Sequence, residues 1–188
     1  MARNGMSNLL TRVRSMVDDA GTAVWSDDQL QDVLDQHKLR VWRERLGMEK
    51  TRVSTSTTEY KRYHSRWGDY EEVTSGTAYF QVEDSSGNQR GTADYTADYI
   101  RGVIEMAADQ EGTALFLSGW SYDLAGAAAQ AWRERAGKVS SYYDVRADGH
   151  TLSRSQWMRH CVQMAEVYAS QARPTVVRAW QDGVFDNE

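Results

Sequence analysis

Apolar positions along this chain change their period twice. From Ser7 onward, Leu9, Leu10, Val13, Met16 and Val17 recur three and four residues apart, which predicts a short amphipathic helix. Ser7 stands where an N-cap belongs, and Asp18, Asp19 and Gly21 end the pattern. A second helix is predicted to open after Ser26, with Gln29 completing a capping box and Trp25 and Leu30 placed as a hydrophobic staple. Its buried stripe is Leu30, Val33, Leu34, His37 and Val41, extended by Trp42. Asp27 and Asp28 lie at the positive end of its dipole, Arg40, Arg43 and Arg45 at the negative end, and Gly47 follows as a stop.

From Arg52 to Ser118 the helical period is lost and Thr, Ser, Tyr, Val and Gly dominate. This composition favours strands, placed near 57–66, 77–83, 94–100, 102–107 and 113–118. Asp84–Asn88 and Ala108–Gly112 carry turn chemistry between them. Tyr60, Tyr63, Trp67 and Tyr70 also fit a helical spacing, so the first strand has a competing reading.

Helical spacing returns between Trp120 and Arg173, the stretch around which the chain is organised. One helix is expected from about Tyr122 to Val139, with Tyr122 and Leu124 among its packing residues. On it Ala125, Ala128, Ala129, Trp132, Ala136 and Val139 share a face. Small residues there let another backbone approach closely, either within the chain or across a seam with an adjacent subunit. Asp148-Gly149 reverses the chain. A last helix runs from Arg154 to Ala172, with Ser153 as cap, Leu152 and Trp157 as staple, and a stripe of Trp157, Cys161, Ala165, Tyr168 and Ala172. Pro174 ends it.

The pattern predicts an α+β chain built as a small antiparallel helical bundle with a β-rich insertion between the second and third helices. Residues 1–51 supply the first helices, 52–118 the insertion, 119–173 a helical hairpin and 174–188 a C-terminal arm, all in one folded unit.

The composition fits one core: 188 residues, 40% hydrophobic, with seven Trp and ten Tyr. A net charge of −5 disfavours a dedicated nucleic-acid binder. One cysteine, Cys161, permits no intrachain disulfide and suits a reducing compartment. No window approaches the ~20 apolar residues of a membrane span, and Arg12 and Arg14 interrupt the N-terminal apolar run, so neither a span nor a signal peptide is expected.

Candidate chemistry is thin. There is no Gly-rich phosphate loop, nucleophile elbow or His/Glu pair at zinc spacing. His150, His160 and Cys161 do not converge as ligands, because adjacent helical residues point ~100° apart. His37 reads as a hydrogen-bonded packing residue. The expectation is a non-enzyme with no cofactor and no metal. Tyr60–Trp67 mixes basic and aromatic residues and supplies the alternative function, a nucleic-acid-binding accessory protein that stacks bases on rings. The competing reading has Arg and Lys stems covering those rings, with Glu59, Asp69, Glu71 and Glu72 neutralising the patch. Val176, Val177, Trp180, Val184 and Phe185 load the short arm with apolar surface, which suits docking on a partner.

Two runs carry a resemblance. Gly119-Trp120-Ser121-Tyr122-Asp123-Leu124-Ala125-Gly126-Ala127-Ala128-Ala129, followed by Trp132, is one; Val145 to Gln156, with Asp148-Gly149 and Ser153, is the other. With Val167–Ala172 and Trp25–Leu30, they resemble the head–tail connector (adaptor, neck) proteins of tailed bacteriophages across about half the chain. The resemblance implies a structural subunit of a ring, commonly twelve-fold, beneath the portal protein. Such a ring continues the DNA channel without binding DNA specifically, and meets a tail-side neck or tail protein. It implies a virion location after assembly in the host cytoplasm, and an arm at Val176–Phe185 that reaches the portal. A negative subunit repeated around a ring would give an acidic lumen over which phosphates slide.

Overall fold

The computed structural model describes residues 3–54, 58–73, 79–140, 145–147, 150–152 and 154–174. After a short 3₁₀ turn at Asn4–Met6 come helices α1 (Ser7–Met16) and α2 (Asp27–Gln36). Seven strands follow: β1 (Lys38–Arg45), β2 (Gly47–Arg52), β3 (Thr58–His64), β4 (Phe80–Asp84), β5 (Tyr95–Asp98), β6 (Val103–Met106) and β7 (Leu115–Tyr122). The described chain then continues through α3 (Leu124–Ser140), the hairpin β8 (Val145–Ala147) and β9 (His150–Leu152), and α4 (Arg154–Gln171).

The helices enclose one core, in which Leu9, Val13, Leu30, Leu34, Trp132 and Cys161 are buried together. Ser26 and Gln29 form the reciprocal capping box that opens α2. The α1–α2 connection is held from inside. The buried Arg14 guanidinium donates to Asp19, to Asp27 and to the carbonyl of Trp25, while Asp19 accepts the backbone N–H groups of Val24 and Trp25.

The strands form two antiparallel sheets, in the orders β1-β7-β4 and β2-β3-β6-β5. Their facing sides bury a second core that includes Val41, Tyr63, Tyr70, Val82, Ile104 and Leu117. β7 lies at the centre of its sheet. Its Leu115 and Leu117 face the second core, while Tyr122 at its end enters the helical core. α3 starts two residues later, so the β7–α3 junction carries the chain from one core into the other.

The observed architecture corrects the expected one. It is α+β, but the helices do not form a small bundle with a single insertion; seven strands in two sheets make up much of the fold, and a further hairpin separates α3 from α4. The predicted second helix stops at Gln36, with His37 as its C-cap. Lys38–Arg45 is strand β1, paired to β7 from Lys38↔Tyr122 to Arg45↔Phe116. Val41 and Trp42 are strong strand formers, and pairing with β7 outweighs the helical spacing. Arg40, Arg43 and Arg45 therefore do not face a helix C-terminus, and Gly47 begins β2 rather than ending a helix. Ser7 lies inside α1, whose N-cap is Met6, with no side-chain cap bond. The five predicted strands do form, the first as β3 rather than a helix.

Candidate functional site

The residues predicted for helix or subunit packing fall mostly inside the chain's own core. Tyr122, Leu124, Ala128, Ala129 and Trp132 are buried, and Ala125 is half-buried. The Trp132 indole N–H donates to the carbonyl of Met16, which locks α3 against α1. Tyr168 packs half-buried on the same core. Trp157 stays 37% exposed at its margin, stacked on His160 with Arg135 over its ring. The alanine stripe is thus spent within the chain's own core.

A second set of polar residues ties the elements together. Arg3 bridges Asp35 of α2 and the buried Glu71, and donates to the Tyr122 hydroxyl, which in turn donates to Glu71. Burial, with the Glu71 charge beside it, pushes the Tyr122 hydroxyl well above its ordinary value. Near the base of the sheets, burial raises the Asp69 carboxyl despite the guanidinium of Arg12 on it. His37 bonds Gln130 at 2.8 Å, and its carbonyl accepts the N–H of Asp123. These contacts join elements. Among the described residues no group of three or more His, Cys, Asp or Glu is placed to hold a metal ion.

The basic and aromatic stretch Tyr60–Trp67 spans β3 and the turn after it. Each of its basic side chains meets a carboxylate: Lys61 with Glu59, Arg62 and His64 with Glu49, Arg66 with Glu44. Arg66 also covers the Trp67 ring, and Tyr63 is buried in the second core. The rings are covered or packed away, not presented as a stacking surface.

The surface feature that periodicity missed is an edge. β1 and β2 are consecutive, separated by Leu46 alone, and each is the outer strand of its sheet. Lys38–Arg52 is therefore one strand, bent at Leu46, that borders both sheets. Glu44 pins the bend by accepting the Ser65 hydroxyl and the Arg66 backbone N–H. Among the described residues no further strand pairs with this edge. Leu39, Trp42 and Met48 lie exposed along it and Val53 just past its end, and Trp42 is 61% exposed with Arg40 over its ring. Among the described residues the other exposed large apolar side chains all belong to α4: Trp157, Met158, Val162 and Val167. Met158 and Val162, one turn apart, flank the buried Cys161–Ala165 stripe. The sequence held a signal for the edge, since Leu39, Val41 and Trp42 sit among alternating arginines, but the same residues also fit the α2 period.

The predicted arm residues Val176, Val177, Trp180, Val184 and Phe185 lie outside the described residues, as do the Asp148-Gly149 turn and the Ser153 cap. The root of the arm is described. The Arg173 backbone N–H donates to Asp123, and its guanidinium donates to Ser121 and to the Gly68 carbonyl.

No family model, curated protein or solved structure matches this chain.

Proposed function

We propose that this protein is a structural ring subunit of a tailed-phage neck, joining portal to tail around the DNA channel. The portal, a tail-side protein and passing DNA are the partners that the resemblance implies. One observation carries the assembly part of this reading: among the described residues, the exposed large apolar side chains divide between two unlike surfaces, the Lys38–Arg52 edge with Val53, and α4. A self-complementary patch would give a two-fold dimer. Two different surfaces that fit each other give a head-to-tail contact, which closes into a ring when the rotation allows.

Electron micrographs of the purified chain, alone and mixed with portal protein, test this reading. Rings of constant diameter are expected. Isolated particles or two-fold dimers under both conditions would overturn it.

A further inference from the structure

We propose that the joint between neighbours sets Trp42 of one copy against Met158 and Val162 on α4 of the next, and pairs Arg45 of the first copy with Glu166 of the second. This inference rests on the ring reading and names the contacts that orient its joint.

The edge holds more positive charge than its own fold uses. Lys38–Arg52 contains six Lys or Arg and two Glu, so two copies of the edge repel each other. Most of these cations have partners within the chain. Lys38 and Arg43 face Asp35 and Glu83, Arg40 and Lys50 lie over the rings of Trp42 and Tyr60, and Arg52 donates to the Ser54 carbonyl. Arg45 is exposed, and among the described residues its side chain meets no carboxylate, carbonyl or ring. It stands on the same strand as Trp42, which at 61% is the most exposed large apolar side chain among the described residues.

α4 carries the counterpart. Met158, Val162 and Glu166 recur every four residues and form one exposed line along the helix. That line is apolar first and then ends in a carboxylate. Glu166 is the acidic residue of α4, and among the described residues nothing pairs with it. Arg159 stands nearly two turns before it, toward the start of the helix. Its charge turns the basic strand away from that end and toward Glu166, which sets the direction in which α4 crosses β1. Two copies of α4 facing each other would leave Arg45 unmatched. Tryptophans seated on apolar side chains carry a large share of interface energy, and the charge pair beside them fixes register.

The test compares full-length chains carrying Arg45→Glu, Glu166→Arg, or both with the parent. Native mass spectrometry follows assembly across protein concentration, alone and with portal protein added. Both positions are exposed, so the fold is expected to hold, and circular dichroism checks that it does. Each single variant puts like charges across every joint and should need about tenfold more protein to assemble, a defect that shrinks as salt is raised. The double variant restores an opposite pair and should assemble within about threefold of the parent. A double variant no better than the worse single, singles that assemble like the parent, or a defect indifferent to salt would overturn the pairing and leave the ring reading standing. A parent that stays single or stops at a two-fold dimer under every condition would overturn both.

Discussion

The backbone N–H of Arg173 donates to Oδ2 of Asp123 at 2.9 Å. Oδ1 of the same carboxylate accepts the backbone N–H of Gly126 at 3.1 Å, in the first turn of α3. One aspartate thus caps one helix and fixes the exit of the next, which sets where the C-terminal arm leaves the fold. Asp123→Ala is expected to cost about 1–2 kcal/mol, the sum of a lost cap and a freed N–H. Urea unfolding should show a lower midpoint with an unchanged slope. An unchanged midpoint would mean that neither bond contributes.

Gly126→Ala tests the same corner from another side. In an exposed helix this change gains about 1 kcal/mol of propensity. Here an added Cβ would sit 2.6 Å from Asp123 Oδ2 and 2.8 Å from His37 Nδ1. Neither neighbour moves freely, because Asp123 is bonded to Arg173 and His37 to Gln130. The clash should win, with a net loss of about 1–3 kcal/mol. A stabilised variant in thermal unfolding would refute the packing described at this corner.

Tyr122→Phe removes a buried hydroxyl that joins Arg3 to Glu71. The expected loss is about 1–3 kcal/mol, since both charged partners remain in place with one hydrogen bond fewer. Denaturant midpoints measure it, and a variant as stable as the parent would count against the network.

Asp19 predicts a pH dependence. Burial would raise its pKa, but the N–H groups of Trp25 and Val24, with the Arg14 charge, outweigh it and hold the carboxyl below its ordinary 3.8. A folded-state pKa below the unfolded one adds stability above the unfolded value, and this is lost as pH falls through the folded value. Asp19→Asn should therefore be less stable than the parent above pH 3.8, with the gap closing in more acid solution. A gap that stays constant across that range would contradict the assignment.

How much was legible in the sequence follows from which signals were local. The Ser26–Gln29 capping box, the α1 stripe of Leu9, Leu10 and Val13, and the Cys161–Ala165 seam each depend on residues within a turn or two, and each formed as read. The path after His37 was misread because Val41 serves either a helix extending α2 or a strand beside β7, and only Gly119, far along the chain, decides between them. The alanine stripe of α3 was readable as a packing face, but not which partner it would meet. The open edge was hidden for the same reason, since it exists only once β1 and β2 are known to border two different sheets.

Two variants test the ring most directly when their masses are measured by native mass spectrometry. Trp42→Glu damages the edge and leaves α4 intact, whereas Met158→Glu with Val162→Glu damages α4 and leaves the edge intact. The parent chain is predicted to give one closed species of fixed copy number. Each variant alone should stay single, and an equal mixture should stop at a one-to-one pair, because that pair has a single sound joint. Variants that assemble as the parent does, or a parent that forms only a two-fold dimer, would contradict the account.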